Sequence, residues 1–263
     1  MFEIKHKKVN SLADVRAVGV SERRLWLRIR DPSSSRQVLS DSSSRMLKVF
    51  LQWTESISPI ISMWPKSLMS VYAAADACAS GDHAQIGGFI KISDSITMWF
   101  SESFTPADFR SKNIPMNENA QKDITCYETL AQLAILKLAG SIYPSCRFPI
   151  RIASLSDNTG AEAGSNCLFS TKQPMCFFLE KICTLSASSG VELDVSHISG
   201  AANELADAIS RWDETTFPTP PFGLPLQYRV RFPLDVLWLN QHPVSLHPSY
   251  AYIPWQLPEV PTI

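Results

Sequence analysis

The apolar positions change period several times between residues 70 and 212, and each change marks an element. Residues 70–75 (SVYAAA) form an apolar strand pattern that ends on Asp76. Residues 86–92 and 96–100 are β-prone runs either side of a Ser-Asp-Ser turn, as in a meander. A loop rich in Pro, Asn and Ser follows over 103–122. From 123 to 138 the spacing becomes helical, with Ile124, Tyr127, Leu130, Ala131, Ala134, Ile135 and Leu138 on one face. Asp123 stands where an N-cap is expected and Gly140 where the helix is expected to stop. Residues 151–155 return to a strand pattern, 174–187 are helical with Pro at the first turn, 191–198 alternate as a strand, and 203–211 close as a helix. The order β-β-β-α-β-α-β-α predicts an α/β domain, a mixed sheet flanked by helices.

The flanks read differently. Residues 31–45 (DPSSSRQVLSDSSSR) have the composition of a linker, and 46–53 (MLKVFLQW) that of a short amphipathic helix. Ten of the 18 prolines fall in the last 52 residues, which excludes long helices and central strands there. With Trp238, Tyr250, Tyr252 and Trp255, that tail reads as an extended segment held to a surface by its aromatics. The expected division is a basic segment over 1–69, a domain over 70–212 and a Pro- and aromatic-rich tail over 213–263.

Composition narrows the class. Apolar residues at 45% and charged residues at 19% are a globular balance. No run approaches the roughly 18–20 apolar residues of a membrane span, and the first ten residues hold no signal-peptide core, so an intracellular protein, cytoplasmic or nuclear, is expected. Six cysteines without a Cys-x-x-Cys pair exclude a zinc ribbon and read as reduced, mostly buried thiols. The net charge of −1 conceals an asymmetry: residues 1–50 carry 11 Lys+Arg against 5 Asp+Glu, and the remainder 13 against 20. The leading segment is either a phosphate-contacting surface or a solvated arm.

Four acids fall at informative places. Asp76 follows the first strand pattern and Asp157 the fourth, while Glu128 lies in the long helix and Asp207 in the last. Singly, each has a plain reading as a turn or surface acid. Together, two strand-end aspartates and two helix acids within reach make a like-charge cluster that bound cations would stabilise, and an all-oxygen donor set suits Mg²⁺ or Mn²⁺.

The surrounding words carry a resemblance. DACASGDHAQIGGFI, CYETLAQLAIL, SDNTGAEAG and HISGAANELADAISRW are similar, in order and placement, to the four motifs of the ribonuclease H family. The last resembles most closely the form of the domain that follows reverse transcriptase in retroelements. The resemblance covers roughly residues 70–212. It implies a ribonuclease H-like, mixed five-stranded sheet flanked by helices and a metal-dependent endonuclease that hydrolyses the RNA strand of RNA–DNA hybrids, leaving a 5′-phosphate and a 3′-hydroxyl.

By the same resemblance Asp76 bridges two Mg²⁺ ions, for which Mn²⁺ substitutes. Glu128 and Asp157 hold the one nearer the leaving group, and Asp207 the one that activates water. His197 stands where the family places a mobile histidine linked to proton transfer or product release, although a strand-end histidine also serves structure alone. Asn158 and Asn203 either contact substrate or brace their loops. Residues 1–69 look like the trailing edge of a polymerase connection segment, so a reverse transcriptase polymerase domain or polypeptide is an expected partner beside the hybrid, and no membrane is. Residues 70–211 carry 10 basic and 15 acidic side chains, a poor balance for holding nucleic acid alone. The alternative is a catalytically silent scaffold of the same fold that binds nucleic acid or protein.

Overall fold

The computed structural model describes residues 67–143 and 150–238. The linker at 31–45, the helix expected at 46–53 and the aromatics Tyr250, Tyr252 and Trp255 lie outside these residues. The strands are β1 (Ser67–Ser80), β2 (His83–Lys91), β3 (Thr97–Phe104), β4 (Ile150–Ser156) and β5 (Val191–His197). The helices are α1 (Pro106–Arg110), α2 (Ile124–Ile142), α3 (Thr159–Cys167), α4 (Met175–Ser189), α5 (Glu204–Ser210) and α6 (Leu234–Trp238). The strands make one mixed five-stranded sheet in the order β3-β2-β1-β4-β5. β2 pairs antiparallel with both β1 and β3, while β4 is parallel to β1 and to β5, so β2 alone runs against the rest.

Several local features depart from the sequence pattern. Asp76 does not end β1: the hairpin ladder runs on from Asp76↔Gly87 to Ser80↔His83 and turns at Gly81, whose φ of +61° suits glycine. Pairing of β1 with β4, however, ends at Ala74↔Leu155, so Asp76 stands where the sheet opens on that side. Gly140 does not stop α2, which continues to Ile142. Most residues of α2 are buried, and that packing outweighs the roughly 1 kcal/mol cost of an internal glycine. Where one helix was expected between β4 and β5 there are two, because Asn158 starts the extra helix α3 by accepting a hydrogen bond from the Ala161 N–H at 3.0 Å. Asp123 occupies the N-cap position of α2, but its carboxylate accepts from the backbone and side chain of Asn117 at 2.6 and 2.7 Å and so braces the preceding loop.

Alternation along β1 divides the core in two. Ala73, Ala75 and Ala77 face the larger side with Ile86, Ile90, Phe100, α2 and Phe178. Ala74 faces the smaller side with Phe89, Trp99, Ala206, Ile209 and Trp212, under α5. The seat of α5 depends on a glycine. A Cβ at Gly87 would lie 2.3 Å from the Ser210 nitrogen and 2.6 Å from the Ile209 carbonyl carbon, both backbone atoms that cannot swing aside. Gly87→Ala is therefore expected to lift α5 and cost roughly 1–3 kcal/mol, read as a lowered midpoint in urea.

The described part of the tail packs on the chain's own sheet. The Val230 N–H donates to the Trp99 carbonyl at 2.8 Å, and Trp99 Nε1 donates to the Pro225 carbonyl at 3.0 Å. The Arg229 guanidinium lies over the rings of Trp99 and Trp212, 5.6 and 4.7 Å from their centroids, and pairs with Glu214 at 2.6 Å. Buried Glu102 accepts from Arg231 Nε at 2.8 Å and from the Phe232 N–H at 2.6 Å. Trp238 in α6 meets Phe178 edge-on at 5.5 Å. Residues 225–232 thus cover the outer edge of β3, which would otherwise offer unpaired backbone groups.

Candidate metal centre

The sheet brings three of the four acids together. Asp76 projects toward α5 where β1 has left β4, Asp157 follows the last residue of β4, and Glu128 reaches in from the second turn of α2. One carboxylate oxygen from each of Asp76, Glu128 and Asp157 lies within 4.8 Å of the other two. Asp76 and Glu128 are each 4% exposed, so two of the three acids are nearly cut off from water.

Ser210 in α5 donates to Asp76 Oδ2 at 2.6 Å, which fixes that carboxylate. Gly200 gives Asp157 its room, since a Cβ there would stand 3.2 Å from Asp157 Oδ2. Gln132, one turn along α2 from Glu128, accepts from Ser154 Oγ at 2.7 Å and donates to the Leu155 carbonyl at 3.1 Å, locking the helix to the end of β4. Sequence reasoning did not assign roles to Ser210 or Gln132. Ser210 was visible as the serine beside Arg211 in the last motif, whereas Gln132 carries no local signal.

Asp207 is not gathered into the group of three. It is half-exposed on α5, and its Oδ1 accepts from Arg211 Nε and pairs with the second guanidinium nitrogen, both at 2.7 Å. Its charge still acts on the cluster, raising the carboxyls of Asp76 and Glu128. His197 is the last residue of β5, exposed and opposite Ser156, one residue before Asp157. Asn158 is engaged as the cap of α3, and Asn203 is buried at the N-terminus of α5.

Burial and mutual repulsion both oppose charge here. Burial first, then the nearby Asp157 and Asp207, push Asp76 up to about 6, against the lowering effect of the Ser210 hydrogen bond. Glu128 is pushed up to about 9 by burial and then by Asp76 and Asp157, with the Ala77 N–H pulling the other way. Glu128 Oε2 is buried with no hydrogen-bond partner among the described residues. A buried carboxylate oxygen without a partner, facing two more carboxylates, is costly unless a cation satisfies it. The residues therefore fit a hard divalent cation held by Asp76, Glu128 and Asp157.

No protein-family model matches the chain, and no curated protein matches it. Solved structures do. Ribonuclease H1 of Halobacterium salinarum is 19% identical, with a TM-score of 0.38 over 53% of this chain and 93% of its own. The N-terminal ribonuclease H domain of a Mycobacterium tuberculosis protein is 16% identical, with a TM-score of 0.37 over 53% of this chain and 89% of its own. A compost-metagenome ribonuclease H1, solved in complex with an RNA/DNA hybrid, is 18% identical, with a TM-score of 0.35 over 53% and 93%.

The α/β architecture expected from the sequence, a mixed five-stranded sheet flanked by helices, is the one observed, with β2 as the single reversed strand and the three gathered acids where β1 and β4 part. No helix among the described residues is long and apolar enough to cross a membrane.

Proposed function

We propose that this ribonuclease H-like domain is a metal-dependent endonuclease that hydrolyses the RNA strand of RNA–DNA hybrids and derives from a retroelement. The observation that carries the reading is the three-carboxylate group with its unpartnered Glu128 oxygen. Asp76, Glu128 and Asp157 would hold Mg²⁺, with Mn²⁺ as a substitute, and Asp207 would serve a second ion on release from Arg211. The chemistry such ions would supply is neutralisation of charge at the scissile phosphate and acidification of a water, consistent with hydrolysis to a 5′-phosphate and a 3′-hydroxyl.

The chain's own residues supply position. Ser210 keeps Asp76 in one orientation, Gln132 keeps α2 against β4, and the small Gly200 leaves the space beside Asp157 open. Exposed His197 is free to move a proton at the edge of the site. Recognition of RNA by its 2′-hydroxyls separates the hybrid from duplex DNA. The four motif words support the retroelement origin, and the acidic balance of residues 70–211 supports a polymerase partner that supplies the missing phosphate contacts.

One observation favours the silent-scaffold reading: Asp207 is tied to Arg211 and stands apart from the other three acids. A substrate panel separates the two. With labelled hybrid, duplex RNA and duplex DNA at low salt and Mg²⁺, the enzyme cuts only the RNA strand of the hybrid. No cutting of any substrate, with no Mn²⁺ binding by calorimetry, makes the scaffold the better account.

A further inference from the structure

Beside the carboxylates, the same sheet face carries a groove of about 340 Å³ that the catalytic reading does not use. Its floor follows from register. Tyr72 pairs with Lys91 across β1 and β2, and Lys91 with Thr97 across β2 and β3, so the three side chains share the face that also carries Asp76. Asp76 lies four residues beyond Tyr72 on β1, about 13 Å along the strand.

The wall of the groove is the turn entering α5. Gly200, which abuts Asp157, is followed within three residues by Ala202 and Asn203, and both line the groove. The same turn therefore touches Asp157 at its start and lines the groove at its end.

Its lining has a definite chemistry. Tyr72 is 48% exposed and leans on buried Phe89, 5.6 Å between ring centroids, so one aromatic face is presented on a rigid support. Asn203 is 3% exposed, yet its Nδ2 has no hydrogen-bond partner among the described residues. An amide donor buried in an apolar lining and left unpaired costs free energy unless a ligand acceptor meets it. Lys91, paired with Asp94 at 3.0 Å, places a cation at the rim.

An aromatic face, one buried donor and a rim cation are the combination that takes a nucleobase. The base stacks, its acceptor edge meets the amide, and the backbone phosphate lies outward. We infer that this groove binds the base of an unpaired nucleotide flanking the hybrid, stacked on Tyr72 and hydrogen-bonded by Asn203. The inference rests on the hybrid nuclease reading, because one short turn borders both the carboxylate site, at Gly200, and the groove, at Ala202 and Asn203.

The test uses the full chain carrying Asp157→Asn, so that bound substrate is not consumed. Three ligands are compared at low salt: a blunt hybrid, the same hybrid with a short single-stranded extension containing 2-aminopurine, and the extension strand alone. The extended hybrid is expected to bind about tenfold more tightly than the blunt one, with quenching of the 2-aminopurine fluorescence. Adding Tyr72→Ala, a change at a half-exposed position with folding checked by circular dichroism, is expected to remove both the preference and the quenching. Asn203→Leu reduces the preference without removing the stacking signal. Equal affinity for blunt and extended hybrids, or quenching unchanged by Tyr72→Ala, overturns the inference. Quenching of the single strand through Tyr72, with no affinity for the blunt hybrid, supports the groove and contradicts the hybrid reading.

Discussion

Asp76→Asn is expected to reduce metal-dependent cleavage of the hybrid on the order of 10³-fold or more while leaving the domain folded. Asp76 is the middle of the site: it stands with Glu128 and Asp157 within 4.8 Å, and the charge of Asp207 reaches it as well. Asparagine has the same shape and keeps an oxygen for the Ser210 hydroxyl, which now donates at 2.6 Å. It removes only the charge that a divalent cation needs. Because burial and neighbouring acids already hold Asp76 up to about 6, losing that charge does not weaken the metal-free fold. Single-turnover cleavage together with circular dichroism checks both halves. A loss of activity that coincides with a loss of structure would assign Asp76 to the fold instead.

The second large effect concerns Glu128 and pH. In the unfolded chain Glu128 titrates near the ordinary glutamate value of 4.5, whereas in the fold it is pushed up to about 9. Between those values the folded state holds a proton that the unfolded state has lost. Metal-free stability therefore falls as pH rises through this window, with Asp76 adding to the fall between the ordinary aspartate value of 3.8 and about 6. Glu128→Gln removes the larger contribution. In chelator, the variant is expected to melt close to the parent at pH 5 and on the order of 5 °C above it at pH 8. Added Mg²⁺ reverses the order, because it stabilises the parent through the carboxylates and has less purchase on the variant. At pH 7 binding also displaces the proton on Glu128, so the calorimetric heat of Mn²⁺ binding depends on the ionisation enthalpy of the buffer. Thermal melts at the two pH values decide the matter, and a parent that is more stable at pH 8 than the variant in chelator refutes this account of Glu128.

Much of the site was legible because its acids sit in local words. Asp157 is followed by Asn158 in the third motif, Glu128 lies on a long helical stripe, and Asp207 lies between small residues and Ser210-Arg211. The number and type of strands were legible from alternation and turns. What escaped depends on register or on packing. That Asp76 is mid-strand follows from a hairpin ladder that continues to Ser80↔His83, which no single strand pattern shows. Helix α3, made of small and polar residues, has no apolar stripe to announce it and is held by the Asn158 cap and by packing against α2 and β5. Asp207 stands apart from the other three acids and pairs with Arg211 one turn along the helix, a partly exposed i,i+4 contact worth little by itself. The groove beside Tyr72 unites residues 72, 91, 97 and 203 only once three strands and a turn are in place.

The most direct test of the central claim is hybrid cleavage by the chelator-stripped full-length chain as Mg²⁺ or Mn²⁺ is titrated, with Asp157→Asn measured alongside. RNA-strand cleavage that appears only with metal, leaves 5′-phosphate ends and is absent in the variant is the predicted result. Cleavage without any divalent cation, or equal cleavage by Asp157→Asn, would contradict the assignment of Asp76, Glu128 and Asp157 as the metal site of a hybrid nuclease.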